Sequence, residues 1–177
     1  MSSESESRSR GIRIFREADA SSVRDAQIME RKASEIVEQG LAKMFEAGLA
    51  DAYVTKCLYK SPEPDGVSLV YAWFKANHPL PVHSHNSNCL YYIISGMGAD
   101  VLGQGDGFFV ASDVNYSYVA GPDGVEILEF RDSSAFDIKI RDGSPLAWER
   151  LTGICEANQA LWKTQRPPAR RVPDQDS

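Results

Sequence analysis

His83 and His85, in the stretch Pro81-Val82-His83-Ser84-His85, are two of the chain's three histidines, and their spacing is the feature best suited to chemistry. In an extended chain side chains repeat their direction every second residue, so both imidazoles leave the same face of a strand. Two nitrogen ligands are thereby offered to one ion. Neutral imidazole suits Fe(II), Zn, Cu, Ni and Mn, so the pair alone does not choose among metals. Counting on in twos, Ser87, Cys89, Tyr91 and Ile93 share that face if the strand is unbroken, although Asn86-Ser87-Asn88 has the composition of a turn that shifts register. Cys89 and Tyr91 are the next candidates for the same cavity.

From His83 to Gly96 the spacing resembles the first motif of the cupin superfamily, G-x5-H-x-H-x3,4-E-x6-G, with Cys89 standing where the family has its metal-binding Glu. Gly105 to Tyr118 resembles the second motif, G-x5-P-x-G-x2-H-x3-N. There Tyr116 stands in the place of the third His, Ala111 and Asp113 replace the Pro and Gly, and Ala120 replaces the terminal Asn. The resemblance covers Val67 to Ile140. It implies an all-β core, a double-stranded β-helix of jelly-roll or cupin-barrel type, with flanking N- and C-terminal helices.

The same resemblance implies a mononuclear divalent transition metal held by His83 and His85, with Fe(II) first and Zn, Ni, Mn or Cu as alternatives. Tyr116 as phenolate and Cys89 as thiolate are candidate further ligands; a cation deprotonates a phenol whose free pKa is about 10. In thiol dioxygenases of the cupin fold a Cys matching Cys89 forms a thioether with a nearby Tyr beside iron, and Tyr91, Tyr116 and Tyr118 are the neighbours to consider. The other reading of Cys89 is a small buried hydrophobe. Cupins range from dioxygenases and isomerases to sugar binders, so fold alone does not set activity. Two functions follow. One is a metal-dependent dioxygenase or other oxidoreductase acting on a small organic molecule, with Tyr116, Cys89 and Tyr91 as candidate catalytic residues. The alternative is a metal-poor small-molecule-binding or sensor cupin without catalysis, which the loss of one ligand from each motif favours.

A chain of 177 residues with 42% hydrophobic side chains and net charge −6 can bury one core with tails. The main basic group, Lys163, Arg166, Arg170 and Arg171, sits in or beside a Pro-rich end, so no phosphate-backbone partner is expected. Three widely spaced cysteines, Cys57, Cys89 and Cys155, argue against a disulfide framework. No apolar run reaches the length of a membrane span. These features point to a cytoplasmic protein with no membrane partner, and the exposed edges of a small cupin to a homodimer.

The elements that must position the histidines follow in order. Residues 1–18 read as a disordered tail and 19–50 as a helical segment. Helical periodicity is clearest from Ala33 to Ala47, with Ile36, Val37, Leu41, Met44 and Phe45 on one face and Gly48 as C-terminal cap. The β core is expected over 51–142, with strands at Tyr53 to Tyr59, Val67 to Phe74, Gly107 to Val110, Tyr116 to Ala120, Val125 to Arg131 and Phe136 to Ile140. Gly121-Pro122-Asp123-Gly124 reads as a turn between two of them. Only eight residues, Met97 to Gln104, separate the motifs, a short hairpin. A C-terminal helix is expected over 143–164, with Trp148, Leu151, Cys155 and Trp162 as its contacts, and a disordered tail over 165–177. His78 reads as a loop residue, not a ligand, and Trp73, Phe109 and Tyr118 as core. Glu126 and Glu129 have opposite parity on one strand, so at most one faces inward.

Overall fold

The computed structural model describes residues 11–98 and 102–169. The polar stretch Met1 to Arg10, the tip of the short hairpin and the end of the chain with Arg170 and Arg171 lie outside the described residues. Period-two segments rich in aromatic and β-branched residues form β2 (Tyr53–Lys60), β3 (Ser68–Phe74), β5 (Cys89–Gly98) and β8 (Ala120–Arg131). With the short β6 (Leu102–Gly103), these make a sheet in the order β2-β3-β8-β5-β6, and β7 (Gly107–Val110) pairs with β5. A second sheet has the order β1-β9-β4, from β1 (Met29–Lys32), β9 (Phe136–Ile140) and β4 (His83–Ser84). The architecture is an all-β core of two sheets, not closed on each other, with flanking helices.

Register decides what faces inward. β3 and β5 flank β8 antiparallel, pairing Val70 and Tyr91 with Glu129, Ala72 and Ile93 with Ile127, and Cys89 with Arg131. Alternate residues of each strand therefore share one face, and Ala72, Phe74, Cys89, Tyr91, Ile93, Val125 and Ile127 pack there as one buried cluster. The two acidic residues of β8 separate as parity requires. Glu129 faces the hollow between the sheets, whereas Glu126 is buried on the other face, where its carboxylate accepts from Tyr71 Oη at 2.6 Å and Ser95 Oγ at 2.5 Å.

Four expectations need correction. The segment 19–50 is not helical throughout, because Met29–Lys32 pairs parallel with β9 and only Glu35–Glu46 forms a helix, α1. A 3-10 turn at Glu17–Asp19 crosses the expected end of the tail at residue 18. Gly121-Pro122-Asp123-Gly124 does not separate strands; β8 runs through it, with Gly124 at φ +80° and a register shift opposite Met97 that absorbs the extra residues as a bulge. Tyr116 to Ala120 is joined to the preceding segment only by isolated bridges, His83 to Tyr116 and Pro79 to Val119.

Ser34 caps α1, its side chain accepting from Val37 N–H, and Gly48 at φ +100° closes the helix as expected. Ser144 caps α2 (Pro145–Thr164) in the same way, and Pro145 opens it. Val37, Leu41 and Met44 face Trp148, Cys155 and Trp162 in a core of their own, and Trp162 Nε1 donates to Ala76 O at 2.8 Å. Ile36 and Phe45 are exposed instead, because the seam narrows to the turn-spaced positions 37, 41 and 44.

The seam depends on Gly40, where an added Cβ would overlap the Trp148 indole. Alanine favours a helix interior by about 1 kcal/mol over glycine, but overpacking costs about 1–3 kcal/mol. Gly40→Ala is therefore expected to lower the urea midpoint of unfolding. A raised midpoint would show that the indole moves aside freely.

Candidate functional site

His83 lies on β4 and His85 directly after it, and the pairing of β4 with β9, His83 opposite Ile140, sets both rings against the larger sheet. Both side chains are buried, at 3% and 6% exposure, and their ring centroids lie 5.0 Å apart. Each Nδ1 is tied to a backbone carbonyl, His83 to Pro81 O at 2.7 Å and His85 to Asp137 O at 2.5 Å. A carbonyl only accepts, so each Nδ1 carries the proton and each Nε2 keeps a lone pair. Burial drives both imidazoles below their ordinary pKa, His83 to about 4 and His85 to about 3, with the Arg131 charge acting in the same direction. They are neutral at physiological pH, the form that binds a metal.

Tyr116 is brought to the same place by a reciprocal backbone bridge, His83 N–H to Tyr116 O at 3.0 Å and Tyr116 N–H to His83 O at 2.9 Å. Its ring centroid stands 4.3 Å from that of His83 and 6.1 Å from that of His85. The Tyr116 hydroxyl is hydrogen-bonded to the Tyr91 hydroxyl, which accepts from Arg131 Nη2 at 3.2 Å; the same Nη2 donates to Glu129 Oε2 at 2.9 Å. Burial raises the pKa of both phenols, and the Glu129 carboxylate adds to that, so both stay protonated. Burial works most strongly against the Arg131 charge, but Glu129, Tyr91, Cys89 and Tyr116 together outweigh it and the pKa is raised.

His83, His85, Tyr91, Tyr116, Glu129 and Arg131 all line a cavity of about 1390 Å³ between the sheets. Cys89 does not line the cavity wall, but it stands opposite Arg131 in register and its thiol is hydrogen-bonded to Tyr91. The thiol is buried in the apolar cluster with Ile93 and Ile127, and burial pushes its pKa up to about 12. That placement matches a small buried hydrophobe. Phe109, expected in the core, is 62% exposed, because β7 turns it to the outer face of the sheet. Trp73 is buried, and Tyr118 lines the cavity. His78 is not near the surface: it is buried, stacked on Phe74 with centroids 5.0 Å apart, and lines the cavity with Nδ1 unpartnered.

As a metal site the donor set is small. Two imidazoles with free Nε2 lone pairs fit a divalent transition ion. Among the described residues no three His, Cys, Asp or Glu side chains converge, so any further protein ligand is a phenol or none.

Sequence reasoning missed Asp137 and Arg131. Asp137 is buried and exchanges bonds with Asn86: Asn86 N–H donates to its Oδ1 at 2.9 Å, and its own N–H donates to Asn86 Oδ1 at 2.8 Å. Lys32 Nζ lies 3.0 Å from its Oδ2. The signal available was a charged residue at an inward position of each apolar strand run.

Burial of three imidazoles makes stability depend on pH. In the unfolded chain each takes a proton near pH 6.5, whereas in the fold His83 takes it near 4 and His78 and His85 near 3. Between those values the unfolded state binds more protons, so stability falls as pH falls, by up to about 1.4 kcal/mol per pH unit for each imidazole. The urea midpoint is expected to drop steadily from pH 7 to pH 5, less steeply in His78→Phe. A midpoint that stays level over that range would show the rings to be solvated.

No protein-family model matches the chain, and no curated sequence does. Among solved structures it is similar to an RmlC-like cupin from Shewanella frigidimarina, at 24% identity over 48% of this chain and 78% of that one, with TM-score 0.40. It is also similar to the polyketide cyclase RemF from Streptomyces resistomycificus, at 18% identity over 61% and 84% of the two chains, with TM-score 0.47. A variant of Bacillus subtilis oxalate decarboxylase matches at 19% identity over 47% of this chain and 26% of its own, with TM-score 0.42. Among the described residues no helix is long and apolar enough to cross a membrane. Two sheets around a hollow, flanking helices and an His-x-His strand at the hollow's wall make this a cupin-type β core.

Proposed function

We propose that the protein binds a mononuclear divalent metal through His83 Nε2 and His85 Nε2 and acts on a small organic molecule in the cavity, as an oxygenase or other oxidoreductase. The observation that carries this reading is the pair of Nδ1 bonds to Pro81 O and Asp137 O, which leaves two neutral imidazoles with unprotonated Nε2 atoms in one hollow. A bound Fe(II) supplies Lewis-acid and redox chemistry there, and Zn, Ni, Mn or Cu are the alternatives.

The chain's own residues have distinct tasks. Asp137 O and Pro81 O hold the tautomers. Tyr116 closes one side of the imidazole pair, and its hydroxyl carries a proton beside it, held by Tyr91 and, through Tyr91, by Arg131. The apolar rings of Phe136, Phe108 and Tyr118 exclude water from that group. A metal-poor binding protein is the second reading, favoured by the absence of a third His, Cys, Asp or Glu among the described residues.

Elemental analysis of freshly purified protein separates the two. Near-stoichiometric transition metal is expected in the wild type and at least about a tenfold loss in His83→Ala and His85→Ala, whose removal deletes half of the nitrogen ligands. Equal metal in all three, or none in any, rules the enzyme reading out.

We further propose a cytoplasmic homodimer formed through the outer face of the six-stranded sheet. Phe109, Leu90 and Phe130 are adjacent in register across three strands and are 62%, 51% and 46% exposed. A like patch on a second copy covers them about a two-fold axis. Sedimentation is expected to give a dimer at micromolar concentration and a monomer for Phe130→Lys; a wild-type monomer would refute the pairing.

A further inference from the structure

A second cavity, of about 210 Å³, lies beside the first and shares two residues with it, Tyr116 and Tyr118. Both belong to the segment that isolated bridges join to the approach to the histidine strand, and being two apart they turn their rings the same way, while Ser117 between them is exposed. The remainder of the second cavity is separate. Ile93, Val125 and Ile127 come to it from β5 and β8, Phe108 and Val110 from β7, and Leu102 from the short hairpin; none of them borders the larger cavity. The two tyrosine rings are thus a common wall, with the imidazoles on one side of it and aliphatic and aromatic carbon on the other.

Size and chemistry narrow what this cavity takes. It is smaller than the roughly 300–1,000 Å³ of sites for drug-sized ligands. It is comparable with an apolar cavity of about 150 Å³, lined by Leu, Ile and Phe, that holds benzene or xenon. Water settles in a cavity only where it finds about two to four polar partners. Here the Tyr116 hydroxyl is engaged by Tyr91, Tyr118 Oη is covered, and Ser117 stands at the exposed rim. Among the described residues no charged side chain lines it. An occupant is therefore held by apolar contact, at about 25 cal/mol for each Å² of apolar surface buried, and brings no charge with it.

We propose that this second cavity binds a neutral apolar molecule no larger than one ring, seated against Tyr116 and Tyr118, at a site apart from the one that takes the organic substrate. The Tyr116 ring centroid is 4.3 Å from that of His83, so the occupant is one aromatic ring away from the imidazole pair. For the identity of the molecule the assignment rests on the oxygenase reading above, under which it is dioxygen. Dioxygen is small, neutral and apolar, and a cavity of its own keeps it beside the site while the larger cavity holds the organic substrate. Tyr116 then stands between the cavities of the two reactants.

The test follows the methyl signals of the metal-stripped full chain by NMR, under xenon pressure and, separately, in oxygen-saturated buffer. Xenon is expected to shift the methyls of Ile93, Val110, Val125 and Ile127 saturably and more strongly than those of Leu41 and Val70, which line the larger cavity. Dioxygen, being paramagnetic, is expected to broaden the same four. Val110→Trp and Leu102→Trp, which fill the cavity, are expected to weaken xenon binding at least about tenfold. If Val110→Trp does not fold, Leu102→Trp decides. No saturable shift, shifts no larger than those of Leu41 and Val70, or xenon binding indifferent to the filling substitutions overturns the proposal. Dioxygen broadening that misses the four methyls overturns dioxygen as the occupant. Metal held by His83 and His85 without any xenon shift leaves the metal site standing and overturns this cavity. Xenon binding in a protein that never retains metal upholds the cavity and removes the oxygenase reading.

Discussion

One buried carboxylate residue, Asp137, fixes the small sheet's contribution to the site. Its carbonyl accepts a hydrogen bond from His85 Nδ1–H, its backbone N–H and side chain exchange bonds with Asn86, and Lys32 of β1 pairs with its carboxylate. The three-stranded sheet is short: β4 contributes two residues and β1 four. Backbone ladders of that length do not fix a side chain's direction by themselves. The Asn86–Asp137 exchange locks the residue after His85 to the middle of β9, so the imidazole has one orientation and one tautomer. Without it the histidine strand could slip, and one residue of slip turns both rings outward.

The facing wall follows a different logic. β8 is central in the six-stranded sheet, paired on both sides, so its alternation is enforced over the stretch from Val125 to Arg131. Two charged residues fall at inward positions there. Burying an ion pair is rarely favourable against an apolar pair of the same size, and it is tolerated when hydrogen bonds fill the remaining valences. Here Tyr91 fills one donor and the rest stay unmet. The polar end of the cavity is thus less completely satisfied than the imidazole end, where both Nδ1 atoms are paired.

The helices stand apart from this chemistry. Trp148, Cys155 and Trp162 of α2 close a separate core with α1, and Trp162 and Gln165 bond the backbone of Ala76. Those bonds hold the loop that carries His78, and α1 borders the cavity directly through Glu38, Leu41 and Phe45.

Strand parity was legible in the chain itself. The separation of two between His83 and His85, and the odd spacing between Glu126 and Glu129, state which pairs share a face, because the β period admits no other outcome. The end of α1 was legible in Gly48, a local signal that needs no distant partner. Three things belonged to tertiary structure alone. Cys89 and Tyr91 come to the site from the large sheet, not from the histidine strand, because the turn at Asn86 to Asn88 carries the chain from the small sheet to the large one. Gly121 to Gly124 has turn composition but is taken into β8 as a bulge opposite Met97, between the paired Ala120 and Val125. The roles of Asp137 and Arg131 depend on partners 40 to 52 residues away in the chain. Local spacing can say which way a side chain points; only the packing of distant strands decides what it meets there.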